Sequence, residues 1–218
     1  MDELEDPWLS EDPLPDDPVA ILKRWLAEAF AAGVQPNPHA IALATVGADG
    51  EPSVRMVLCN EIDDSGTLTF YTHYDSRKGR DLATCERAAA VFYWSGPSRQ
   101  ARVEGRVVRS AAEKSDAYYA SRPLDARLGA WASAQSEPLA SRTTLLERID
   151  ATARRFGVSQ PGAPDDTVPR PPGWGGYELS ADTIELWVSR PARVHDRAEW
   201  CRTSDSDVSV WTPTRLFP

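Results

Sequence analysis

Residues 39–73 read HAIALATVGADGEPSVRMVLCNEIDDSGTLTFYTH. Their apolar residues recur with a period of two, broken twice by turn chemistry. His39–Val46 is rich in strand formers, and Ala48-Asp49-Gly50-Glu51 is a tight hairpin signal. Ser53–Asn60 returns as a strand. Side chains alternate along a strand, so Val54, Met56 and Leu58 share one face and Arg55 takes the other. Asp63-Asp64-Ser65-Gly66 turns the chain again, and Thr67–His73 is a third strand with Leu68 and Phe70 inward. Three strands on short turns make an antiparallel meander.

Working outward, Pro18 opens a helix to about Ala32, with Ile21, Leu22, Trp25, Leu26, Ala29 and Phe30 at helical spacing and Gly33 as its stop. After the meander, Ser76 caps a short helix over Arg77–Cys85. Ala88–Trp94 is nearly all apolar and reads as a strand buried on both faces. Arg99–Val108 alternates, with Ala101, Val103 and Val107 opposite Gln100, Arg102, Glu104 and Arg106. Ser110-Ala111-Ala112-Glu113 has the form of a capping box and opens a helix to about Ser121. Residues 123–140 have no clear period. A further helix starts at Ser141 or Thr143 and runs to about Phe156. Residues 157–173 hold five prolines and read as a loop. Gly176–Ser180, Thr183–Val188, Arg193–Trp200 and Val208–Thr212 complete the strands. The pattern is mainly β with flanking helices, a β-barrel with helices packed outside.

A chain of 218 residues, 41% hydrophobic and 26% charged, is large enough for one domain with a core that needs no staples. The net charge of −9 is local. Eight of the 33 acids lie in residues 1–18, which hold no base, so the rest of the chain is close to neutral. That balance excludes a general nucleic-acid binder. Residues 1–18, with Pro7, Pro13, Pro15 and Pro18, read as an acidic mobile tail ahead of a domain over 19–218. No apolar run reaches membrane-spanning length, and the acidic start is unlike a signal peptide, so a cytoplasmic location is expected. Three scattered cysteines make no disulfide framework and no CxxC pair, and with three histidines no metal site is expected.

Three clusters bear chemistry. Ser76-Arg77-Lys78-Gly79 puts two cations at a helix start. Cations there oppose the helix dipole, which suits either a solvated basic turn or a bound phosphate. Arg55, from a neighbouring strand, would be a third cation on the same anion. Arg193, His195 and Arg197 share a face if their segment is a strand, which suits either a charged edge or an anionic ligand. Ala130–Ser136 sets small residues beside Trp131 and a Gln-Ser pair, either a tight polar segment or a plain packed loop.

The ordered series RMVL, FYT-x-Y-x-SRKGR-x-L, FYW, RQ-x-RVEG, SDAYY-x-SRP, GAWAS-x-QS, PPGWGGYEL, IE-x-W and R-x-HDR resembles the pyridoxine/pyridoxamine 5′-phosphate oxidase family over roughly residues 20–200. The resemblance implies a split β-barrel homodimer with FMN at the subunit interface. It implies FMN contacts from Arg55, Met56, Val57, Leu58, Tyr71, Thr72, Arg77, Lys78, Gln100, Gln135, Ser136, Trp187 and Arg197. It assigns the substrate phosphate to Tyr118 and Arg122, and the substrate ring to Arg193 and His195, the expected catalytic pair. Histidine titrates near neutrality and suits proton removal.

The departures cluster at the substrate. Two further phosphate contacts of the family, a lysine and a serine, are Asn60 and Ala126 here; the usual Asn after FYT is His73. Losing two charge-assisted bonds weakens phosphate binding by roughly two to four decades unless another group, such as Arg127, replaces them. The expected activity is therefore FMN-dependent oxidation of a small ring substrate, with dioxygen reduced to hydrogen peroxide and the substrate pocket altered. The family's phenazine-biosynthesis flavin oxidases, which also resemble this chain and also lack the lysine, offer a precedent. The alternatives are a genuine pyridoxine/pyridoxamine 5′-phosphate oxidase, a non-catalytic flavin carrier and, more weakly, a nicotinamide-dependent reductase.

Overall fold

A computed structural model describes residues 7–10, 12–158, 168–205 and 208–218. The strands are β1 (Ala40–Val46), β2 (Pro52–Leu58), β3 (Glu61–Ile62), β4 (Thr67–His73), β5 (Arg87–Trp94), β6 (Arg99–Arg109), β7 (Trp174–Val188), β8 (Asp196–Asp205) and β9 (Val208–Arg215). They form one sheet in the order β2-β1-β5-β6-β7-β4-β3, with β8 beside β7 and β9 beside β8. Every pairing is antiparallel. The helices are α1 (Pro7–Ser10), α2 (Pro18–Ala32), α3 (Arg77–Thr84), α4 (Ala112–Ser121), α5 (Leu124–Ala132) and α6 (Arg142–Arg155).

The long β7 curls the sheet. One edge pairs with β6 throughout, while the other pairs first with β4 and then with β8. The sequence reads two short strands here, Gly176–Ser180 and Thr183–Val188. The structure shows one strand, because a register shift at Glu104/Gly105 absorbs the extra residue. Gly105 is required at that point: a Cβ would sit 1.9 Å from the Ser180 carbonyl oxygen. The core lies inside the curl, where Leu43, Phe70, Phe92, Val103, Ile184 and Leu186 have no exposed surface. Helix α2 closes one side with Leu22 and Trp25, and Trp25 meets Trp94 edge-on at 6.3 Å.

Several boundaries match the sequence reading. Asp17 caps α2 by accepting from the Val19 N–H, and Gly33 ends it at φ 61°. Ser76 caps α3 and Ser141 caps α6. Others differ. Residues 124–132 form α5 where no period was visible. The capping box at Ser110 does not form, because the Ser110 N–H donates to the Gly176 carbonyl and extends the strand pairing; α4 begins after it without a side-chain cap. Strand β5 is buried on one face only, with Tyr93 56% exposed.

The segment expected as a mobile tail packs where it is described. Leu9 is fully buried, Trp200 Nε1 donates to the Pro15 carbonyl, and Arg215 donates to the Leu9 carbonyl and to Asp12. Residues 1–6 and 11, and most of the proline-rich loop, lie outside the described residues. No described helix is long and apolar enough to cross a membrane.

Candidate active site

The strand β4 and the helix α3 meet at the floor of a cavity of about 490 Å³. Ser76 ends the turn between them, accepting from the Gly79 N–H as the α3 cap. The geometry admits no side chain at position 79, since a Cβ would lie 2.1 Å from the Tyr74 carbonyl oxygen. Lys78 then turns inward. Its Nζ donates to Thr72 Oγ1 at 3.1 Å and to Gln135 Oε1 at 3.0 Å. Burial, then the nearby Arg55 charge, push its pKa down to about 8. Arg55 approaches Lys78 from β2, behind the cavity lining, donating to Thr45 Oγ1 at 2.6 Å and to the Leu43 carbonyl at 3.2 Å. Gln135 and Ser136 arrive from the far side. The Arg77 N–H donates to Ser136 Oγ at 3.1 Å, and Ser136 holds φ at 76°, a left-handed conformation that costs a non-glycine residue about 1 kcal/mol or more. The Arg77 side chain itself is exposed.

The opposite end of the cavity is aromatic. Tyr71, Tyr118 and Trp174 are nearly parallel: Tyr71 lies 3.9 Å from Tyr118 and 5.6 Å from Trp174 between ring centroids. Arg122 lies over Trp174 at 4.7 Å, and its Nη1 is buried with no hydrogen-bond partner. Asn60 Nδ2 donates to Tyr118 Oη at 2.7 Å. Ala126 is in the same wall and supplies no donor. Arg127 does not replace the missing contacts; it lines a separate cavity with Asp116 and Arg170. His73 stands between the two ends, its pKa lowered by burial and by the charges of Lys78 and Arg122.

The predicted residues therefore divide. Met56, Val57, Leu58, Asn60, Tyr71, Thr72, Lys78, Tyr118, Arg122, Ala126 and Gln135 line this cavity. Gln100, Trp187 and Arg197 line another, of about 300 Å³, with Val91, Arg102 and Glu185. There Arg197 Nε donates to Glu185 Oε1 at 2.9 Å, and His195 packs on Trp187 at 4.6 Å.

The shared strand face expected for Arg193, His195 and Arg197 is not observed. Arg193 ends a 3₁₀ turn, Pro191–Arg193, and β8 begins only at Asp196. Pro191 and the left-handed Ala192 and Arg193, at φ 56° and 62°, are incompatible with a strand. His195 Nδ1 instead accepts from the Arg190 N–H at 3.1 Å.

Three contributors escaped the sequence reading. Asp81 lies one turn beyond Lys78 on α3 and is 8% exposed. Helical spacing from Lys78 was the available signal. Glu185 anchors Arg197, and its place on a strand register decides that. Trp174 belongs to a quoted motif, but its stacking depends on three separate elements.

A family model described as pyridoxamine 5′-phosphate oxidase matches residues 26–154. The chain belongs to the pyridoxamine 5′-phosphate oxidase family. A second model, the pyridoxine 5′-phosphate oxidase C-terminal dimerisation region, matches residues 174–218. The chain is 48% identical over 210 residues to a pyridoxine/pyridoxamine 5′-phosphate oxidase of Burkholderia lata, covering 96% of this chain and 93% of that one. It is 47% identical, at the same coverage, to the enzyme so named in Cupriavidus pinatubonensis. Among solved structures, PhzG from Burkholderia lata 383, in complex with tetrahydrophenazine-1-carboxylic acid, superposes with a TM-score of 0.83 at 33% identity, covering 97% of this chain and 96% of that one. A pyridoxamine 5′-phosphate oxidase-related, FMN-binding protein of Nostoc punctiforme shares the fold, with a TM-score of 0.69 at 17% identity. The fold is thus the split barrel of this family, and the chain is an oxidoreductase.

Proposed function

We propose that this protein is an FMN-dependent oxidase acting on a small ring substrate, with a substrate end altered from that of the phosphate-ester oxidases. The observation that carries the reading is the contrast within one cavity. At one end Arg55, Lys78 and the α3 N-terminus converge, and burial with the Arg55 charge lowers the Lys78 pKa to about 8, so its ammonium is held at a cost that an anion would relieve. That is the electrostatics of a site built for a dianion, and the phosphate of FMN fits it. The chemistry supplied by bound FMN is acceptance of a hydride from the substrate and its transfer to dioxygen, giving hydrogen peroxide.

The chain's own residues do the rest. Tyr71, Tyr118 and Trp174 form a parallel aromatic stack in the cavity lining, against which a ring can pack. Arg122, with its buried Nη1 open, binds one anionic group. The Tyr118 oxygen accepts from Asn60, which leaves its O–H to donate, so Tyr118 and Arg122 remain while the lysine and serine contacts of the family are absent.

Gln100, Trp187 and Arg197 lie on a second surface, with His195 packed on Trp187 and Arg193 exposed on the turn just before it. They complete the site in a homodimer, one protomer's second surface closing the partner's cavity. The match of residues 174–218 to a dimerisation region supports this. So do Val54, Met56 and Leu58 on the sheet-edge strand β2, which are 68%, 63% and 43% exposed. In the dimer, His195 takes the substrate proton and Arg193 orients the ring. A flavin carrier has no need of a buried arginine nitrogen open to a substrate anion, as in Arg122, which disfavours the non-catalytic reading.

A second reading, oxidation of pyridoxine or pyridoxamine 5′-phosphate itself, is favoured by the 48% identity to relatives so named. Oxygen-dependent peroxide release by the FMN-loaded protein separates the two. The expected result is slow turnover of both phosphate esters with flavin retained and reducible. Robust turnover would establish the second reading, and a protein that never retains flavin would refute both.

A further inference from the structure

Behind Arg55 lies a buried carboxylate that the functional reading does not use. Asp81 is 8% exposed and sits on the inner face of α3. Its Oδ2 accepts from Thr45 Oγ1 at 2.6 Å and from Ser53 Oγ at 3.2 Å, and lies 3.6 Å from Arg55 Nη2. The same two hydroxyls accept from Arg55: Thr45 from Nη1 at 2.6 Å, and Ser53 from Nη2. Each hydroxyl thus takes a proton contact from the guanidinium and passes one to the carboxylate, closing a ring across β1, β2 and α3. Nη1 also donates to the Leu43 carbonyl. These bonds use both Nη1 hydrogens and one on Nη2. The other Nη2 hydrogen faces Asp81 Oδ2, and Nε–H is left for a ligand.

A negative charge beside an anion site repels the anion, so it needs a compensating role. A guanidinium on a long side chain loses considerable freedom when it is fixed, and a clamp already made lowers that loss at binding.

We propose that Asp81 is a positioning residue that, through Thr45 and Ser53, fixes the guanidinium of Arg55 for the phosphate of the flavin. The inference rests on the assignment of that cavity end to the FMN phosphate. It predicts that Asp81 affects recognition of the phosphate and not of the flavin ring.

The test compares FMN with riboflavin, which lacks the phosphate, by fluorescence titration of the apoprotein. Wild type is expected to bind FMN far more tightly. In Asp81→Asn, FMN affinity is expected to fall about tenfold, while riboflavin affinity stays unchanged. On an Arg55→Ala background, Asp81→Asn is expected to add no further loss, because the two residues act as a unit. Ser53→Ala breaks one relay and keeps both charges, so a smaller fall, about threefold, is expected even if Asp81→Asn folds poorly. Tighter FMN binding in Asp81→Asn would show the carboxylate to be only a competitor. Equal loss for both flavins, or an additive loss in the double variant, would make it merely structural. Each of those overturns the proposal. Absence of FMN preference already in wild type is a different failure: it removes the cofactor assignment itself, and the proposal with it.

Discussion

The two ends of the cavity hold their cations differently. At the α3 end, Lys78 and Arg55 are tied by hydrogen bonds to Thr72, Gln135, Thr45 and Leu43, and Asp81 backs Arg55. At the aromatic end, Arg122 rests on Trp174 with one nitrogen buried and unpartnered, and the position facing Tyr118 carries an amide rather than an ammonium. The first end is preorganised for a multiply charged group. The second has one cation in an apolar frame, which suits a single charge or a polar ring substituent. On the proposed assignment, the end that would hold the cofactor keeps its cations while the end that would hold the substrate has an amide at position 60 and a methyl group at position 126.

The comparison can be broken or sharpened in order of effect. Largest is His195→Ala, which is expected to lower turnover about hundredfold with flavin still bound, since a lost general base costs at least that. Flavin loss in this variant would make His195 a cofactor contact rather than a substrate one. Next, Lys78→Ala is expected to weaken FMN binding by about thirtyfold, the scale of a buried charge-assisted bond, with little effect on the substrate KM once flavin is saturating. A pure substrate effect would reverse the assignment of the two ends.

Third, Asn60→Lys with Ala126→Ser is expected to lower the KM for pyridoxine 5′-phosphate about tenfold or more. No change would mean the phosphate does not approach Tyr118 and Arg122. Smallest is a pH effect on the apoprotein. Lys78 has a folded pKa of about 8, below its ordinary 10.5, so the folded state releases a proton that the unfolded chain keeps. Below pH 8 both states are charged and the full cost of burying the ammonium is present. That cost is relieved as pH rises from about 8 towards 10.5, so stability gains there. Thermal melts of wild type and Lys78→Met should therefore converge as pH rises through that window; a constant gap would deny the shift.

Much of this was legible in the chain. The meander over residues 39–73, the caps at Ser76 and Ser141 and the stop at Gly33 follow from local period and capping chemistry, which depend on near neighbours. The ordered motifs carried the family. Helix α5 was hidden because its apolar residues serve two neighbours at once, Leu128 in one cluster and Ala130 in another, which blurs the helical period. The packed N-terminal segment was hidden by its acidity, since Leu9 finds a partner, Arg215, nearly the whole chain length away.

The sequence by itself determined which residue types were available: cations at a helix start, an amide where the family has a lysine, and Arg193 and His195 two residues apart. Only the tertiary structure decided how they are shared out. It drew Arg55 into a ring with Asp81, turned Arg127 away from the cavity, broke the expected strand at Ala192 and Arg193, and set Gln100, Trp187 and Arg197 on a second surface. The physical reason is that local pattern fixes the direction of a side chain relative to its own element. What that side chain meets is fixed by sheet order and curl, which come from contacts far apart in the chain.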